Sequence, residues 1–331
     1  MYLFFVVLFF LYVLSSVKPF LANWYPLDRN VTLNLKGVLC ICIILHHIQR
    51  MVDIPWIFQF YSWGAPVVSL FFFLSGYGLM TSFLKKGYEY LDSFFKKRMR
   101  VVIIPFFIVS LMFVLLGFLD GQIVIKDLWN NFVYRGITPL PNSWFVIAIV
   151  LFYFFFFISF RYSVWNVWEK IISVILLSFI YIVILKIIGW DRNWWVSTLA
   201  FSSGIVYRYK EGFWNKMGKK KYWRIIFMPF AWCLILMLVL FNNERFFVIA
   251  YILIPLMVIG LIRCFDISKF KVLGFLGEIS YEIYLIHGMV MCLLRGNHFY
   301  IMSDYLFVLS VVLISIALSY LLHEIFNKVL I

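Results

Sequence analysis

The sequence predicts an all-α fold: a polytopic membrane bundle of about eleven transmembrane helices in a single domain over 1–331. Three observations predict it. Of 331 residues, 65% are hydrophobic and 13% charged, against about 45–50% apolar and about 25% charged in a soluble domain. The apolar residues gather into runs near the ~20 residues that a helix needs to cross the hydrocarbon core. The 29 Lys and Arg, against 15 Asp and Glu, fall in short clusters between those runs, as they do in multi-pass proteins. Soluble enzymes, disordered scaffolds and nucleic-acid binders are excluded on these grounds.

The runs follow in order. The first, 2–17, has no basic residue before it and no A-x-A site after it, so a retained helix is expected rather than a signal peptide. The run 33–49 contains Lys36, His46 and His47. The run 62–84 contains Leu74-Ser75-Gly76-Tyr77-Gly78, small residues that admit close helix approach. The run 101–119 follows the basic stretch Lys96-Lys97-Arg98-Met99-Arg100. The connection 120–142 holds Gly121, Gly136, Pro139 and Pro141 and is expected to be a loop. The run 143–160 opens at Ser143-Trp144-Phe145, where Trp144 suits an interface anchor. Then come 171–188, the short and Gly-interrupted 194–207, and 225–241, 246–262, 279–294 and 305–323. No soluble domain is expected before, between or after them. The five cysteines lie in or beside these runs without zinc-site spacing and read as packed thiols. No metal site is expected.

Loop charge sets the orientation. Alternate loops on one side hold 22 of the 29 basic residues; the other side holds Arg50, Lys126, Arg135, Lys186, Arg192, Arg245 and Arg295. The richer side is expected in the cytoplasm, with the N-terminus outside and the C-terminus cytoplasmic.

Ionisable groups inside spans are functional candidates by default. Lys36 and His47 are eleven residues apart, almost three turns at about 3.6 residues per turn, so they share one helix face about 16 Å apart. A neutral imidazole there is a good proton acceptor; the plain alternative is a snorkelling lysine and an interfacial histidine pair. His46, about 100° round the helix, is expected to face elsewhere. In the tenth run, Ser280, Tyr284 and His287 form an i, i+4, i+7 stripe among Glu278, Tyr281 and Glu282. Such a stripe looks toward a cavity or a hydrogen-bonded helix seam. Lys97, Arg98 and Arg100 suit a phosphate clamp, or a topology signal touching anionic lipid.

Taken together and in order, these segments resemble acyltransferase family 3, the integral-membrane O-acyltransferases of bacterial surface polysaccharides. Lys36-x10-His47 is similar to the family's Arg-x10-His helix. Phe71-Phe72-Phe73-Leu74-Ser75-Gly76-Tyr77, the basic stretch 96–105, Ser143-Trp144-Phe145 and Ser280-Tyr281-Glu282-Ile283-Tyr284-Leu285-Ile286-His287 each resemble a further family segment. Lys36 departs from the family's Arg: the charge survives without the bidentate fork. The R-x-x-R pattern is met only as Lys97-x-x-Arg100, or by Arg98 and Arg100 at a different spacing. The helix at 1–20 precedes the family's usual ten spans, which leaves 33–328 as the acyltransferase core.

The resemblance implies transfer of an acyl group, most often acetyl, from acyl-CoA as co-substrate, with no bound cofactor. The acceptor would be a hydroxyl of a surface polysaccharide sugar or its lipid-linked precursor. It implies His47 and His287 as catalytic residues and Lys36, Lys97, Arg98 and Arg100 as the donor's phosphate site. Ser75, Tyr77, Trp144, Glu278, Ser280, Glu282 and Tyr284 would line the cavity. It also implies the bacterial inner membrane and, as partners, the bilayer and polysaccharide-assembly proteins. The competing class is a transporter or flippase using the same His and Glu residues as a proton relay. That class predicts paired, Gly/Pro-broken helices in two halves, which the sequence does not display. A third reading is a non-catalytic partner of a polysaccharide polymerase.

Reporter fusions check the orientation. A fusion at Lys220 is expected to report cytoplasm and one at Lys126 the exterior; the opposite pair of signals overturns it.

Overall fold

In the computed structural model, residues 24–119, 125–162, 164–220, 232, 234–235, 244–297 and 299–330 are described, and among them the chain is all-helical. A lone bridge pairs Arg295 with Tyr300. Among the described residues, twelve helices have eight residues or more. They are α1 Arg29–Ile48, α2 Gly64–Lys86, α3 Arg100–Leu119, α4 Ile125–Arg135, α5 Trp144–Arg161 and α6 Val167–Ile187. They continue with α7 Leu199–Tyr209, α8 Glu211–Gly218, α9 Glu244–Ile262, α10 Lys271–Glu278, α11 Ser280–Leu294 and α12 Asp304–Leu330.

Among the described residues, six helical stretches are long and apolar enough to cross a bilayer: α1, α2, Phe95–Phe118, α5, α6 and Asp304–Val329; Phe246–Ile262 and Ser280–Leu294 are shorter apolar helices. The expected run 2–17 lies outside the described residues, as does 225–241 apart from 232, 234 and 235.

Local chemistry sets the ends. Asp28 caps α1, its carboxylate accepting from Val31 N–H at 2.9 Å. Asn166 and Glu169 form a reciprocal capping box on α6, satisfying two donors that a helix start leaves open. Two expectations change. The connection 120–142 contains α4, with Asp127 in its first turn and Arg135 in its last, the polarity that the helix dipole favours. The run 194–207 is not one span but a turn, Asn193–Val196, followed by α7. Thr198 Oγ1 donates to the Trp195 carbonyl at 2.8 Å across the break, offering the backbone a local alternative to the helix ladder.

Packing depends on two glycine crossings. A Cβ on Gly76 would run into the Phe201 carbonyl of α7, and one on Gly204 into the Phe73 carbonyl of α2. Gly37 and Gly277 bring α1 and α10 together in the same way, against the backbones of Leu273 and Leu33. Backbones approach this closely only where both helices present small residues. Around these seams lies an aromatic core: Phe72 packs edge-on to Phe145 at 4.9 Å, and Phe152 edge-on to Phe201 at 5.4 Å. The outer helices α3 and α12 bury little and expose Phe107, Leu111, Leu115, Leu309 and Leu313, the surface a lipid-facing helix presents.

Gly76 and Gly78 make a paired test, because nothing lies within 4 Å of a Cβ at Gly78. Gly76→Ala is expected to lower the melting temperature of the detergent-purified protein, as overpacking costs about 1–3 kcal/mol. Gly78→Ala is expected to leave it unchanged or raised. Equal loss in both would remove the α2–α7 crossing from its place in the fold.

Candidate active site

Helix α1 passes along two cavities, one toward each end, named inner and outer for the orientation expected from the loop charges. The inner cavity, about 190 Å³, is lined by Lys36, Phe71, Ser75, Arg98, Val101, Val102, Phe145, Ile149, Tyr153, Ser280, Tyr281 and Tyr284. Its lining holds two cations and no carboxylate. The outer cavity, about 420 Å³, is lined by both His46 and His47, with Arg50, Tyr61, Ser62, Asn142, Trp144, Asp191, Arg192, Asn193, Tyr251 and Tyr284 among its walls. Tyr284 borders both.

In the inner cavity Arg98 is held by Tyr153: its Nη2 donates to the phenol oxygen at 3.3 Å, and its guanidinium lies 5.3 Å from the ring centroid. Its buried Nε–H has no partner among the described residues. A buried donor without a partner costs free energy, so this N–H is available to an anionic guest. Tyr281 donates to the Val102 carbonyl at 2.6 Å and Ser280 to the Gly277 carbonyl at 2.8 Å. These two hydroxyls are occupied by backbone, and their sites are walls.

The division between the cavities is built by Tyr284 and Asn142. The Tyr284 hydroxyl donates to the Asn142 carbonyl. Asn142 has φ 62°, the left-handed conformation that Asn tolerates better than most residues. That conformation precedes the first turn of α5. The Tyr284 ring is 5.4 Å from Phe145 and 5.9 Å from His287.

Three imidazoles converge on the outer side. The rings of His47 and His287 stack at 5.2 Å and 28°, and His46 lies 4.8 Å from His47. His287 Nδ1 is 3.1 Å from the Ile283 carbonyl and His46 Nδ1 is 2.9 Å from the Phe60 carbonyl. A carbonyl only accepts, so each Nδ1 carries the proton and each neutral ring keeps its lone pair on Nε2. Nε2 of His287 is buried and without a partner among the described residues.

The expected site residues divide. Lys36, Ser75, Arg98, Ser280 and Tyr284 border the inner cavity; His47, Trp144 and Tyr284 border the outer one, with His287 against His47. Five others border neither. Lys97 is exposed on the Phe95–Met99 turn. Arg100, two residues past Arg98 and so on another face, donates to the Val329 carbonyl at 3.3 Å. Tyr77, two residues past Ser75, turns away to Leu27 O at 3.0 Å and Glu211 Oε1 at 3.1 Å. There Glu211 also pairs with Arg208 at 2.8 Å and Arg263 at 3.7 Å. Glu278 is paired with Arg29 at 3.7 Å. Glu282, two residues past Ser280, faces His323 of α12 at 3.0 Å. At about 100° per residue a two-residue step reverses most of the facing direction.

One angular expectation is corrected. His46 and His47 border the same cavity, because that cavity wraps the last turn of α1 and so meets neighbouring positions. Sequence reasoning also passed over Arg50, Asp191, Arg192 and Asn193. Arg50 lies three residues past His47, and 191–193 is a polar cluster between Trp190 and Trp194. Both were legible only as loop charges.

A family model described as an acyltransferase domain matches residues 30–324, nearly the whole chain. No curated protein and no solved structure matches it.

Proposed function

The chain belongs to acyltransferase family 3, and from that premise we propose that this membrane acyltransferase moves an acetyl group from acetyl-CoA to a sugar hydroxyl of a surface polysaccharide or its lipid-linked precursor. The inner cavity would take the donor from the cytoplasm of a bacterial cell, its side of the inner membrane set by the basic loops. The outer cavity would take the acceptor. The single observation that supports this reading is the sharing of α1 between a cation-lined cavity at Lys36 and an imidazole-lined cavity at His47.

The donor is long and thin, with phosphates at one end and a thioester at the other. Lys36 and Arg98 would hold phosphate oxygens, Arg98 through its unpartnered Nε–H. The arm would run along α1 toward Tyr284, which stands where the inner and outer spaces adjoin. At that point the acceptor oxygen bonds to the thioester carbonyl carbon and the carbon–sulfur bond breaks. The hydroxyl proton passes to the His47 imidazole and from there to the departing thiolate, so that ester and free CoA thiol leave. His47 could also carry the acyl group briefly, with the same overall balance. His287 sits behind His47 and would fix its ring. An alkyl hydroxyl is a poor nucleophile until a base takes its proton, and a positioned base contributes about 10²–10⁴-fold.

Transfer of labelled acetyl from acetyl-CoA in membranes tests the roles. His47→Ala is expected to lower transfer by about 10²-fold or more, and His287→Ala by an intermediate amount. His46→Ala is expected to lower it least, since the Phe60 carbonyl commits its Nδ1 to tying the end of α1 to the next turn. If His46→Ala is as damaging as His47→Ala at equal protein amount, the base assignment fails.

The donor site has its own test. Arg98→Gln and Lys36→Met are expected to raise KM for acyl-CoA by about tenfold each, the scale of one charge-assisted bond. Arg100→Gln is expected to leave KM unchanged, because its guanidinium serves the end of α12. Equal effects from Arg98 and Arg100 would move the phosphate site out of the cavity.

A further inference from the structure

We propose that the acceptor is anionic, and that Arg50 and Arg192 at the outer cavity recognise its oxyanion, a sugar carboxylate or a phosphate link. This rests on the reading of the outer cavity as the acceptor's.

On the topology expected from the loop charges, the side carrying this cavity holds seven of the 29 basic residues, and two of the seven border the cavity. Two of the other five are already engaged. Arg295 pairs with Asp304 at 2.5 Å, and the Lys186 ammonium lies 4.1 Å from the Trp195 ring centroid. Neither Arg50 nor Arg192 has a carboxylate within ion-pair distance among the described residues. Asp191 is the one carboxylate in the lining, and its Oδ1 accepts from Asn193 N–H at 2.8 Å. The Arg192 guanidinium lies 5.6 Å from the Phe247 ring centroid, a contact that steadies the head without using its forked donors.

A guanidinium offers parallel N–H donors that match carboxylate and phosphate oxygens. Two of them at the mouth of a cleft with low-dielectric walls raise the local concentration of anions. Trp144 supplies an aromatic wall of the kind found in small-molecule sites. Ser62 Oγ, also in the lining, is buried without a partner among the described residues and gives a further hydrogen-bonding group for a polar guest. A neutral acceptor would use the aromatic wall and the hydroxyl but would leave both cations unanswered.

The test maps acyl esters on the surface glycans, and on their lipid-linked precursors, of the cells that make this protein. Mass spectrometry and NMR are applied to wild-type cells, cells lacking the gene, cells with Arg50→Gln plus Arg192→Gln, and cells with both changed to Lys. The ester that vanishes on deletion is expected on a sugar bearing an anion or joined directly to one. A carboxylate on that sugar identifies the first source, and a neutral sugar beside a phosphate the second. The Gln pair is expected to lower that ester by about tenfold at equal protein amount, and the Lys pair, which keeps the charge, by much less. An ester on a neutral sugar with no adjoining anion overturns the proposal whether or not the variants fold, and so does a Gln pair with unchanged ester. Deletion that removes no ester at all instead defeats the acyltransferase reading on which the proposal rests.

Discussion

Hydrocarbon offers no partner to an ionisable side chain, and this constraint shapes the molecule from α1 outward. Lys36 and His47 lie on a helix whose other residues are mostly apolar and buried. Groups of that kind in a span must turn to the bundle interior or a wet cavity. Once α1 is fixed with that face inward, its neighbours have to supply polar walls without filling the space. Helix α2 brings Ser75, α3 and its preceding turn bring Arg98, α5 brings Tyr153 and Trp144, and α11 brings Ser280 and Tyr284. Two carboxylates that do not reach a cavity find partners nearby: Glu282 faces His323, and Glu211 pairs with Arg208 and Arg263.

The glycine crossings make that arrangement possible. With α2 and α7 in backbone contact at Gly76 and Gly204, and α1 and α10 at Gly37 and Gly277, the inner helices occupy little width. The bulky aromatic residues then pack to the sides of the seams. A wider α1–α10 crossing would shift Lys36, one residue from Gly37, relative to the α11 residues that follow Gly277. The small residues therefore act on the site through position, and Gly277 also accepts the Ser280 hydroxyl of the cavity wall.

The sequence carried the long spans because length and hydropathy are properties of a single helix. Boundaries such as Arg29–Ile48 and Trp144–Arg161 fall close to the apolar runs 33–49 and 143–160. What a helix faces is a property of pairs, and there a single sequence runs out. Ser75 and Tyr77 belong to one motif, as do Ser280 and Glu282, yet each pair divides between cavity and distant partner. The rotation of α2 is set by Gly76 against α7, and that of α11 by its contacts with α1 and α12. His46 misled for a different reason: angular separation along a helix counts for little where a cavity wraps the helix end. The α4 helix and the break before α7 were missed because their hydroxyls, termini and loop glycines are weak signals beside a transmembrane run.

The two cations of the inner cavity divide their work in a way that accounts for the Lys at position 36. An arginine has a planar fork and needs support to hold it in place; Arg98 has that support from Tyr153, by a hydrogen bond and by the ring face. Lys36 enters the same cavity from α1, across from Arg98. A lysine places a compact charge on a flexible stem and can follow a phosphate without a fixed geometry. On the proposed reading, directional recognition of the donor belongs to Arg98 and general attraction to Lys36. The pairing of a held guanidinium with a mobile ammonium keeps one end of a long substrate in register while the other end reaches toward His47.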